Sequence, residues 1–117
     1  MKYRPNKSKL DYHFQDSVIP GCKIISATHP DYSYPIATIW YRLQNNTTTI
    51  CILHQHTIPY LQRQGIMQYL YHRLVGAYKD VKRVVTDSGN RMSKPWLLKN
   101  KFKLDENNQY MVELKKK

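Results

Sequence analysis

A run of β-branched and apolar residues from Thr48 to Ile58 stops at Pro59 and gives way to Ile66, Leu70, Leu74 and Ala77, a spacing that a helix buries on one face. Between them lie Gln62, Arg63, Gln64 and Gly65, so the chain must pass from strand to helix in a tight turn. Such a junction has a chemical consequence. The first amides of a helix lack intrahelical partners and sit at the positive end of its dipole, so they can cradle a phosphate or pyrophosphate. Gly65, with no side chain, lets that phosphate approach closely.

The rest of the chain supplies a sheet for this junction. Ser17 to His29 holds apolar residues around Pro20-Gly21 and predicts a first strand, or a strand pair with a bend. Ile36 to Leu43, with Ile36, Ala37, Ile39, Trp40 and Tyr41, predicts a second. Gln44-Asn45-Asn46-Thr47 turns the chain, making Thr48 to Ile58 the antiparallel partner of that strand. Met67, Tyr71, Val75 and Tyr78 widen the helical stripe, predicting a main helix over about 66–79. Arg83 to Thr86 reads as a further strand and Met92 to Lys99 as a short helix. The segments Lys103-Leu104 and Tyr110 to Leu114 frame Asp105 to Gln109 as a terminal hairpin. No repeat or linker interrupts the order, so residues 1–117 are expected to form one α+β domain around a mostly antiparallel sheet.

Charge and composition bound the partners. The 117 residues carry 19 Lys and Arg against 8 Asp and Glu, a formal charge of +11, which attracts anions. Eight basic residues fall between Lys79 and Lys103 against Asp80 and Asp87, a local balance of +6. A solvated basic face, an acidic protein and nucleic acid all compete to explain that stretch. Nucleic acid is not favoured, because only Trp96 and Phe102 interrupt the charges and both fall at apolar positions. Lys2, Arg4, Lys7 and Lys9 read as a frayed basic tail, as do Lys115 to Lys117. Cys22 and Cys51 read as small core hydrophobes rather than a pair. The N-terminus has no apolar signal region and no apolar run nears about 18 residues, so a cytoplasmic location off the membrane is expected.

The stretch Gln62 to Met67 resembles motif A of the GNAT acetyltransferase superfamily, Gln/Arg-x-x-Gly-x-Gly/Ala, with Gln62 and Gly65 matching and Met67 in place of the small residue. Family members follow the next strand with Asn, a small residue, a Tyr and a Phe; here Asn90, Ser93, Leu97 and Phe102 hold those positions, and Lys101 replaces the usual Gly before the Phe. The resemblance spans roughly Thr47 to Leu114. It implies a GNAT-like mixed sheet and binding of acetyl-CoA, with no metal. The implied cofactor contacts are Gln55, Thr57, Gln62, Arg63, Gln64, Gly65, Ile66, Met67 and Asn90. In the family a backbone N–H on the preceding strand polarises the thioester carbonyl, which maps to Gln55 to Thr57, and Pro59 just beyond loses no needed donor.

Direct acetyl transfer also asks for a neutral amine and a proton for the departing thiolate. His56 and His54, alternating with Ile52 and Ile58 on one expected strand face, are the candidate bases, with His56 nearer the turn. The competing reading is that both histidines only line the groove; a His-x-His metal site lacks a third ligand. Leu97 stands where the family places its proton-donating Tyr and cannot donate, which leaves Tyr60 or water. The family's inserted helices between the first two strands have no counterpart before Ile36, so an open site taking a protein, a peptide or another bulky amine is expected. An N-acetyltransferase, a catalytically weak CoA-binding protein and a basic nucleic-acid- or protein-binding module all remain open on the sequence.

Overall fold

A computed structural model describes residues 7–86 and 94–115. After a short turn at Lys7–Lys9 come β1 (Asp11–Asp16), β2 (Lys23–Thr28), β3 (Ala37–Gln44) and β4 (Thr49–Thr57). A second short turn at Pro59–Leu61 leads into α1 (Ile66–Ala77), then β5 (Arg83–Thr86), α2 (Lys94–Lys99), β6 (Lys103–Leu104) and β7 (Tyr110–Glu113). The expected helix at 66–79 ends two residues early, where Tyr78 turns extended and its N–H still reaches the Val75 carbonyl. The short helix is described from Lys94; Met92 and Ser93 lie outside the described residues.

The seven strands form one sheet in the order β1-β2-β3-β4-β5-β7-β6. Every neighbouring pair is antiparallel except β4 and β5, which run parallel because α1 carries the chain back between them. The fold is therefore α+β with a mixed, mostly antiparallel sheet, as the residue patterns indicate.

Two features depart from expectation. Asp11–Asp16, not the segment after Ser17, is the first strand, and it pairs along its whole length with β2. Ser17 to Cys22 is only the turn between them, closed by Ser17 N–H donating to the Cys22 carbonyl at 2.9 Å. The other departure lies in β4. Trp40 pairs with His54 and Tyr41 with Ile52, so Leu53 is an extra residue opposite no partner, a β-bulge. Pairing of β4 with β5 runs only from Thr49 to Ile52 and stops at the same place. Beyond Leu53, β4 stays with β3 and leaves β5, so the two parallel strands diverge.

Packing follows from register. Directly paired residues point to one side of a sheet. Ile25, Ile39 and Tyr41 thus share a face with Ile52, and α1 lays Ile66, Leu70 and Leu74 on it; all seven are essentially inaccessible to solvent. Burying each such side chain contributes about 1.5–3 kcal/mol. Tyr71, Trp96 and Phe102 pack ring to ring, 5.1–6.1 Å between centroids, and join α2 to α1. Gln68 and Asn100 exchange two amide hydrogen bonds, 2.6 and 3.0 Å, across the same junction.

Candidate functional site

Where β4 leaves β5, a cleft of about 620 Å³ opens between the end of β4, the turn into α1, and α2. That volume lies within the range of small-molecule sites.

The turn forms the phosphate-sized end. Pro59 starts a single 3-10 turn, and Gln62 then extends, its side-chain amide donating to the Thr57 carbonyl at 3.2 Å and tying the turn back to the strand. Arg63 at φ 65° and Gly65 at φ 80° both adopt the left-handed region, which reverses the chain within three residues. Arg63 holds this conformation at an energetic cost that clusters at binding sites. Gly65 is the N-cap of α1 and supplies no side-chain cap, so no side chain of the cap residue takes the first amides. Alternating left-handed residues before uncapped amides make an anion-binding concavity.

The strand forms the other wall. Ile58 N–H donates to the Ile36 carbonyl on the β3 side at 3.1 Å, so by alternation Thr57 and Gln55 present their backbone groups on the opposite edge, where β5 has departed. The Gln55 Oε1 and Trp96 Nε1 atoms, both on residues of the cleft, are buried with no hydrogen-bond partner among the described residues. Arg63 and Lys99 line the cleft, and among the described residues none that lines it carries a carboxylate.

Of the residues singled out in the sequence, Gln55, His56, Thr57, Gln62, Arg63, Gly65, Ile66 and Met67 come together around this cleft. Gln64, His54 and Tyr60 are not among its lining residues. Asn90 lies outside the described residues. The bulge at Leu53 corrects the expected strand face: His54 and His56 share a face with Trp40 and Thr38, opposite Ile52, and both are exposed. Tyr60 instead meets Tyr34, phenol to phenol at 3.1 Å, and its ring tilts against Tyr32. That hydrogen bond, with some desolvation, pushes its phenol up to about 12. Leu97 is buried in the core beside Phe102.

Sequence reasoning passed over Leu61 and Gln68 as cleft residues, placed Lys99 only within a basic stretch beside the expected groove, and favoured core packing for Trp96. Gln68 extends the helical stripe by polarity, not by period. Trp96 and Lys99 enter only because α2 docks on α1, which no local pattern announces.

Among the described residues no group of His, Cys, Asp and Glu is arranged to hold a metal, and no helix is long and apolar enough to cross a membrane.

No family model and no curated relative matches the sequence. Solved structures do match. An acetyltransferase from Thermus thermophilus superposes with a TM-score of 0.66 at 14% identity, covering 83% of this chain and 67% of its own. The PaiA N-acetyltransferase of Thermoplasma acidophilum, solved in complex with coenzyme A, gives 0.63 at 17% identity, covering 82% of this chain. This chain spans 62% of that protein's length, less than two thirds. A Desulfovibrio desulfuricans protein assigned to the GNAT family gives 0.66 at 13% identity and is covered over 99% of its length, against 88% of this chain. These superpositions, at 13–17% identity, show that the chain has the fold of the GNAT acetyltransferases.

Proposed function

We propose that this chain is an N-acetyltransferase that moves acetyl from acetyl-CoA directly to an amine. The observation that carries the reading is the left-handed, uncapped turn from Arg63 to Gly65, set at the mouth of the gap between β4 and β5 in a GNAT fold. The pyrophosphate lies on the first amides of α1, and the pantetheine arm runs along the free edge of β4. Its amides supply the partners that Gln55 Oε1 and Trp96 Nε1 need, since one accepts and the other donates. The bound structure of the Thermoplasma neighbour supports coenzyme A as the ligand class.

His56 is the base. It borders the cleft and is exposed on the side away from α1, where an amine arrives. The thioester carbonyl takes its hydrogen bond from a backbone N–H of β4. With Leu97 buried and Tyr60 turned to Tyr34, the thiolate, whose pKa is about 8.5, leaves with water as its acid. Loss of a dedicated acid costs about 10²–10⁴ in rate. A slow or inactive CoA-binding protein is the second reading, and Leu97 is the observation that favours it.

The acceptor is a protein, a peptide or another bulky amine. Six residues, Ser17 to Cys22, join β1 to β2, and the face bearing Thr38, Trp40, His54 and His56 carries no α1 packing. Native mass spectrometry with CoA, followed by free-thiol release from acetyl-CoA in the presence of peptide amines, tests the reading. Absence of any CoA complex at millimolar ligand rejects it.

A further inference from the structure

Lys7, from the basic N-terminal segment, reaches the turn at Gly65. A Cβ placed on Gly65 would stand 2.8 Å from the Lys7 ammonium and 3.5 Å from its Cε. The space that any other residue would fill at the start of α1 is occupied by this side chain. The contact is built from both ends. Leu10 N–H donates to the Lys7 carbonyl at 3.2 Å, and the Tyr69 hydroxyl of α1 donates to the Leu10 carbonyl at 3.2 Å, holding the segment against the helix. Arg73 stacks over Tyr12 and Tyr69 together, 5.1 and 5.3 Å from their centroids, and fastens β1 to the same helix.

The electrostatics are unfavourable without an anion. An ammonium at the positive end of a helix dipole is repelled, and Arg63 and Lys99 border the same cleft. Among the described residues Lys7 forms no ion pair with a carboxylate. Two cations border the cleft, a third meets its lining residue Gly65 at the uncapped helix start, and none of the described lining residues is acidic. A ligand with two adjacent phosphates reverses the sign of every one of these terms.

Resting on the function proposed above, we infer that Lys7 is a direct contact to the pyrophosphate of the acyl carrier, so that the N-terminal segment closes the phosphate end of the site. It acts as a specificity-determining residue for diphosphate-bearing carriers, and it explains Gly65 doubly, by backbone conformation and by the seat that it leaves for the ammonium.

Isothermal titration of the full chain with CoA and with dephospho-CoA, which keeps the pyrophosphate and lacks the 3′-phosphate, tests this. Lys7→Met is expected to weaken both about tenfold or more, the loss typical of one charge-assisted hydrogen bond. Lys7→Arg should recover most of the affinity, and the melting temperature without ligand should not fall in either variant. Unaltered affinity in Lys7→Met, a loss confined to CoA, or failure of Lys7→Arg to recover binding overturns the inference while leaving the proposed function standing. No CoA binding by the unsubstituted chain overturns both.

Discussion

Ile52 and His54, two residues apart on one strand, face opposite sides of the sheet, because Leu53 between them is an extra residue with no partner on β3. The bulge changes what β4 offers on either side of it. Before it, Ile50 and Ile52 are sealed under α1; after it, Gln55 and Thr57 take over that face and the histidines turn outward.

From that geometry follows a difference between the two histidines. His56→Gln should lower kcat/KM about 10²–10⁴-fold, while His54→Gln, away from the cleft, should change it less than threefold. Steady-state rates of both variants decide the matter; equal losses would reject the assignment.

Gly65→Ala should abolish binding of CoA and destabilise the chain as well. The residue sits at φ 80°, a conformation that any side chain strains, and its added methyl would push the Lys7 ammonium from its place. At a hundredfold excess over its dissociation constant, CoA should stabilise the unsubstituted chain by about 2.7 kcal/mol. Thermal melts with and without ligand should show that shift in one protein and none in the other.

Restoring the family's tyrosine at Leu97 should not restore an acid. Leu97 is buried against Phe102, so Leu97→Tyr overpacks the α1–α2 junction and should cost about 1–3 kcal/mol, read as a lower melting temperature. A stable variant with a faster turnover would show that the ring reaches the cleft.

The Tyr34–Tyr60 hydrogen bond predicts a alkaline signature. Because the Tyr60 phenol is held up to about 12 in the folded chain against the usual 10, the stabilisation is complete below about pH 10 and is lost as pH rises towards 12. Spectrophotometric titration of tyrosinate should find Tyr60 among several late groups, since burial raises Tyr41 and Tyr71 as well, and Tyr34→Phe should move one of them earlier. Tyr60→Phe should leave acetyl transfer unchanged.

Much of this architecture was legible in the residues. β3, β4 and α1 announce themselves through alternation or helical period, and Pro59 and Gly65 punctuate the turn. β1 was hidden because an edge strand buries little: apart from half-buried Tyr12, Asp11–Asp16 is exposed and reads as part of a polar tail. The bulge was hidden for the opposite reason. Ile50, Cys51, Ile52 and Leu53 are all apolar, so no change of alternation marks the extra residue. At the site, the turn residues and His56 were legible locally, whereas Lys7, Gln68, Trp96 and Lys99 arrive through tertiary docking.

The single parallel pair sets an order of assembly. β1 to β4 each pair with the next strand in sequence, so that meander can form from short loop closures, but β5 reaches β4 only after α1 has been laid down. The seam between Ile50 and Val84 is therefore expected to close late and to open first. Native-state hydrogen exchange should find the amides of β5 less protected than those of β3. A chain destabilised anywhere would then lose its cleft while most of its sheet survives, and ligand binding would report on the weakest seam of the fold.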